Sequence, residues 1–143
     1  MKAKEILDER TKHLVFIGAS VGSGCRPCTK YHVNKSLESR FTMDEIDKII
    51  SQAISVRDMA TRNLESFVKN KFPEVESVPG IDENTERSDI LVGIATSYAV
   101  NFHPGFLKYK SLAQKTGITD EELTEILRIS AAVSEKARSL LIE

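Results

Sequence analysis

The chain has two cysteines, four prolines, seven glycines and no tryptophan among 143 residues. Two cysteines three positions apart are not a secreted disulfide framework, so catalysis or metal binding is the expected use of the pair. No apolar run approaches the roughly 18 residues that cross a bilayer, so no membrane partner is expected. Charge of either sign is not in excess: 20 basic against 21 acidic residues leave a net −1, with no global case for nucleic acid or an anionic membrane. The start Met1-Lys2-Ala3-Lys4-Glu5 leads into a charged segment and not an apolar signal core, and a cytoplasmic location is expected. There is no clear alternating strand and no hairpin turn between apolar runs, which leaves an all-α protein. At this length one compact domain, residues 1–143, has room for a real core.

Four helices stand out. The first runs from about Glu9 to Val21, where Gly18, Ala19 and Ser20 permit close packing. The second begins at Pro27 and ends near Ser39. The third opens at Thr42, where Thr42-Met43-Asp44-Glu45 fits a capping box. Its residues Ile46, Ile49, Ile50, Ala53, Ile54, Val56, Ala60 and Leu64 predict a broad buried stripe. Between 71 and 88, Pro73, Pro79 and Gly80 break the helical pattern, and Glu74, Glu76, Asp82, Glu83 and Glu86 predict a solvated linker.

After this linker the pattern returns. Thr119-Asp120-Glu121-Glu122 repeats the capping box of Thr42 at an offset of 77, and opens the fourth helix. Without a gap, the same offset pairs Leu14 with Leu91, Ile17 with Ile94, Ser20 with Ser97, Pro27 with Pro104, Ile49 with Ile126 and Val56 with Val133. We read two tandem repeats, 9–70 and 89–143. The competing reading is that any two amphipathic helices align; Pro27/Pro104 and the two threonine caps, which are punctuation and not hydrophobic period, weigh against it. The copies differ where chemistry sits: Cys25, Cys28 and His32 face Phe102, Gly105 and Tyr109, so the second copy is degenerate.

Both cysteines lie in Cys25-Arg26-Pro27-Cys28-Thr29-Lys30-Tyr31-His32. Pro27 suits the first turn of a helix. Cys28 and His32 then stand at i and i+4 on one face, with Cys25 at the helix entrance. A thiol beside an imidazole at a positive helix end has the ingredients of a lowered pKa, to which Arg26 and Lys30 add charge. The preferred reading is a dithiol redox site. Two buried small hydrophobes, or a zinc site with His32 and His13 as further ligands, are the alternatives. No metal and no cofactor are expected on the preferred reading. Tyr31 and Tyr98 are read as core residues, and His103 as a turn residue in the inactive copy.

The run Ala19 to Cys28, then His32 and the helix of Asp44-Glu45-Ile46-Asp47-Lys48-Ile49, resembles the carboxymuconolactone decarboxylase-like superfamily, and within it the alkyl hydroperoxidase D-like branch. The resemblance covers about Leu14 to Ala60, with the second copy as a degenerate repeat. It implies an alkyl hydroperoxidase D-like helical fold, homo-oligomers, and peroxide reduction by a cysteine pair. It also implies the roles: Cys28 attacks, Cys25 resolves and His32 relays the proton. The family pattern has a glutamate twelve residues before the first cysteine, where this chain has His13. Glu9, one turn earlier, and His13 itself are the two candidates for that relay position. The expected activity is thiol-dependent (hydro)peroxide reduction or thiol–disulfide oxidoreduction, with a peroxide substrate and an external dithiol reductant. A non-catalytic redox sensor and a lactone decarboxylase are the alternatives. A fused pair of repeats needs half the chains of a single-copy hexamer, so a trimer is favoured, a hexamer being the other possibility.

Overall fold

The computed structural model describes residues 5–74 and 78–142. Six helices account for the described secondary structure: α1 (Glu9–Gly22), α2 (Arg26–Glu38), α3 (Met43–Lys69), α4 (Arg87–Ala99), α5 (His103–Lys115) and α6 (Asp120–Leu140). No strand occurs among the described residues, and none of these helices is long and apolar enough to cross a membrane.

The start signals act as their residue types dictate. Thr42 and Thr119 each accept a hydrogen bond from the backbone N–H of Glu45 and Glu122, whose carboxylates reach back to the cap N–H. Each cap satisfies two donors that the first helical turn leaves unpaired. Other features recur at the same spacing of 77. The N–H of Cys25 donates to the carbonyl of Ser20, and that of Phe102 to Ser97. The left-handed residues Gly24 and Asn101 (φ 68° and 58°) precede α2 and α5, and Arg40 and Gly117 (φ 72° and 89°) follow them.

α1 and α4 form the centre and are buried on nearly every side. Small residues let them approach. A Cβ on Gly18 would lie 3.2 Å from the carbonyl oxygen of Val92, and one on Gly22 would lie 2.8 Å from Cβ of Ala99. The Thr96 hydroxyl donates to the Gly18 carbonyl at 3.0 Å, so the contact is both close and polar-satisfied. α2, α3 and α6 pack around α1, and α3, α5 and α6 around α4.

Three expectations need correction. The α3 stripe does not stay buried. Ile46, Ile49, Ala53 and Val56 enter the core, but Ile54 and Leu64 are exposed, Leu64 at 62%. At 27 residues α3 is about 40 Å long, and the core ends near Val56, which leaves Leu64 uncovered; Ile54 lies about 120° round the helix from the buried residues. The 71–88 segment is not wholly solvated, because Ile81 is buried and Val78 packs on the core; Glu76 lies outside the described residues. Tyr31 is 56% exposed and Tyr98 is also exposed, because both rings sit on outer helix faces.

Candidate functional site

Cys25 is the N-cap of α2 and Pro27 lies in its first turn. An N-cap residue has extended backbone and aims its side chain back at the first free N–H groups. Here the Cys28 N–H donates to Cys25 Sγ at 3.2 Å. The same geometry brings the two Cα atoms to 5.3 Å, and Cys25 and Cys28 are joined as a disulfide. Each cysteine is buried, with 8% of its surface exposed. Gly24, in the left-handed region, makes the turn that leads into the cap.

The two cysteines line different clefts. Cys28 lines an apolar one of about 490 Å3, with Phe16, Tyr31 and His32 on one side and Ala132, Val133, Lys136 and Leu140 of α6 on the other. Cys25 lines a second, of about 370 Å3, with Ser23, Arg26 and Pro27 facing Ser134, Ala137 and Arg138 of α6. The hydroxyls of Ser23 and Ser134 meet at 3.3 Å. α6, from the half of the chain without cysteines, is therefore the opposite wall of both clefts.

His32 shares the apolar cleft with Cys28, as the i, i+4 spacing predicts. Its ring stacks on Phe16, with centroids 4.4 Å apart and planes at 14°, and meets Tyr31 edge-on at 5.1 Å. Burial holds its imidazole below the ordinary histidine range, and the nearby His13 acts in the same direction. His32 is therefore neutral near pH 7 and able to accept a proton.

His13 is buried, at 9% exposure. Its Nδ1 lies 3.1 Å from the Ser36 hydroxyl, which donates to the His32 carbonyl at 2.8 Å. Nε2 is buried without a hydrogen-bond partner among the described residues. The Glu9 carboxylate stands 3.9 Å from it, beyond hydrogen-bond range but close enough to act on its charge. Burial lowers the pKa of His13, and Glu9 partly opposes that. Ser36 thus ties His13 to the backbone of His32 and not to its ring, with Glu9 on the solvent side of His13. Among the described residues no group of three or more His, Cys, Asp or Glu is placed to hold a metal ion.

The positions 77 further on are filled in the opposite sense. A Cβ on Gly105 would lie 2.3 Å from the Phe102 ring, so that ring covers the place corresponding to Cys28. Tyr109 is sunk into the core, where Gln52 donates to its hydroxyl at 3.2 Å. His13 and Ser36 correspond to Ile90 and Ala113, both buried. His103 is exposed at the first turn of α5.

Sequence reasoning missed Phe16, Ser36 and the α6 residues Lys136 and Arg138. The first two carry a signal in the offset of 77, as the polar or large partners of Gly93 and Ala113. The α6 pair carries none, since its role depends on how the helices pack.

Residues 1–64 match the model of the Carboxymuconolactone decarboxylase family. No curated protein and no solved structure matches the chain.

Proposed function

We propose that this chain, whose family match supports a place in the carboxymuconolactone decarboxylase-like superfamily, is a thiol-dependent peroxide reductase. The observation that carries the reading is the Cys25–Cys28 pair at the start of α2, with Cys28 and His32 on one apolar cleft. Neutral His32 takes the Cys28 proton, and the buried His13, with the Glu9 carboxylate beside it, acts on the charge that His32 then carries. The Cys28 thiolate attacks the peroxide O–O bond and becomes a sulfenic acid, while the departing alkoxide takes a proton. Cys25 displaces hydroxide from the Cys28 sulfur, closing the disulfide and releasing water. An external dithiol then returns two electrons by exchange. α4–α6 act as a degenerate second repeat that supplies the α6 wall, and the protein works as a cytoplasmic homo-oligomer, a trimer first.

One observation favours a second reading. The N–H of Cys28 points at Cys25 Sγ, and such a bond stabilises thiolate on Cys25. With Cys25 as nucleophile the protein is a thiol–disulfide oxidoreductase without peroxide turnover.

Peroxide consumption with a supplied dithiol tests both readings. On the first, Cys28→Ser abolishes turnover and Cys25→Ser stops after one equivalent, with a sulfenic acid on Cys28. Wild-type protein that exchanges disulfides but consumes no peroxide supports the second.

A further inference from the structure

The charges around the disulfide are one-sided. Arg26 and Arg138 line the Cys25 cleft, and Lys136 lines the Cys28 cleft. A Cβ on Gly24 would lie 3.6 Å from Nη2 of Arg57, so a third guanidinium from α3 lies over the residue before Cys25. None of these four cations has an ion-pair partner among the described residues. Among the described residues no carboxylate lines either cleft, in a chain with 21 acidic residues to 20 basic ones.

Geometry adds a direction. Thiol–disulfide exchange is an in-line displacement, so a thiolate attacking Cys25 must approach from the side opposite Cys28. The arginine cleft touches Cys25 and not Cys28. At about 370 Å3, and with only 8% of Cys25 exposed, it suits a thin thiol and not the rigid surface of a folded protein.

We infer that the disulfide is reduced from the Cys25 side, by a small thiol carrying carboxylate or other anionic groups that Arg26 and Arg138 receive. The inference rests on the reading of Cys25–Cys28 as a redox pair. The entering thiolate bonds to Cys25 Sγ and the Cys25–Cys28 bond breaks. Cys28 leaves as a thiolate into the His32 and Lys136 cleft. A second thiol, on the same or another molecule, attacks the reagent's sulfur in the mixed disulfide and frees Cys25. Two electrons pass from the reagent to the protein, the reagent becomes its own disulfide, and two protons end on the two cysteines.

Three monothiols of similar size test this: 3-mercaptopropionate (anionic), mercaptoethanol (neutral) and cysteamine (cationic). Exchange with the oxidised full chain is quenched with iodoacetamide, and tandem mass spectrometry locates the adduct. Rates are expressed per thiolate, and the same chain unfolded in urea supplies the reference ratio. The expected result is a reagent adduct on Cys25 with the iodoacetamide label on Cys28. At low salt the anion should lead the cation by about tenfold or more relative to that reference. High salt and the Arg26→Gln/Arg138→Gln variant should each pull the ratio back toward the reference. An adduct on Cys28, or a ratio equal to the unfolded reference, overturns the inference. A folded disulfide inert to all three thiols overturns it together with the redox reading. Selective exchange in a protein that consumes no peroxide upholds the inference and removes only the peroxide step.

Discussion

The ring of His32 lies face to face with that of Phe16, centroids 4.4 Å apart. Seventy-seven positions on, the corresponding pair is Tyr109 and Gly93. There a Cβ on the glycine would fall 2.5 Å from the tyrosine ring. Across the offset of 77 the large and small partners are exchanged. Gly93 leaves room for the Tyr109 ring in the core; Phe16 carries the His32 ring stacked on it in the cleft beside Cys28. Phe16 thus decides whether the residue at this position is packing or chemistry.

Phe16→Ala should release the His32 ring. Phe16 is half-buried, so its loss costs less than the about 3–5 kcal/mol of a fully buried phenylalanine. The His32 pKa should rise from its depressed value toward about 6.5 as the ring gains water. Peroxide turnover at neutral pH should fall while the Cys25–Cys28 disulfide still forms. NMR titration of the ring protons reads the first effect; an unchanged His32 titration refutes the positioning role.

His13 and Ser36 form a buried polar pair where the other half carries Ile90 and Ala113. Replacing both by the apolar residues of that half removes the orphaned Nε2 together with the Nδ1–hydroxyl pair. Such paired removal is close to neutral or stabilising, whereas removing one partner strands the other at about 1–3 kcal/mol. His13→Ile/Ser36→Ala should therefore match or exceed the wild type in urea unfolding, and Ser36→Ala alone should fall below it. If His13 and Glu9 act on the charge of His32 during the reaction, the double variant also loses peroxide turnover. A stable double variant with full turnover removes His13 from the mechanism.

Four of the six helices, the threonine caps and the cysteine–histidine spacing were legible in the sequence because each is local; α4 and α5 were reached only through the offset of 77. Thr42-x-x-Glu45 and Thr119-x-x-Glu122 need only one turn of chain to act, and Cys28 to His32 needs one turn more. What lay beyond reach was non-local. The burial of His13 depends on α2 bringing Ser36 across α1, and the α6 wall depends on packing between halves over a hundred residues apart. Periodicity also misjudged α3, since a stripe shows which face is apolar but not where its covering ends. Leu64 lies on the buried face but past what the chain itself covers, whereas Ile54 lies about 120° round the helix from that face.

Acid should destabilise the fold in a window set by the histidines. His13 and His32 are both held below the ordinary histidine value, chiefly by burial. From about 6.5 downward to those depressed values the unfolded chain binds more protons than the native one. Stability therefore rises with pH across this window, by up to about 1.4 kcal/mol per unit for each such histidine. The melting temperature should fall between pH 7 and pH 5. His13→Ile/Ser36→Ala should flatten that fall by removing one of the two groups. Carboxylates with lowered values, such as Asp8, act in the same direction only below about pH 4, so the two windows separate. A melting temperature constant from pH 7 to pH 5 contradicts the burial of these rings.

The last expectation concerns α3. At 100° per residue, Met43, Ile54, Leu64 and Val68 fall within an arc of about 80° on this helix, and all four are exposed. α3 contributes no fully buried residue after Val56, and Phe72, just past its end, is also exposed. An apolar stripe left open on a long helix is the usual mark of an interface, and a closed ring is the usual way to cover it in every copy. α6, the corresponding helix, stops burying residues at the same register, Val133 and Ser134, but ends soon after at Leu140, whereas α3 runs on to Lys69, so α3 is the helix that needs a neighbour. Light scattering at micromolar concentration should give three times the 16.0 kDa chain, with twice that mass marking a hexamer. Leu64→Lys/Val68→Lys should shift the protein to smaller species without loss of helix content, since neither side chain enters the core. A wild-type mass of one chain means that the open stripe is not an interface.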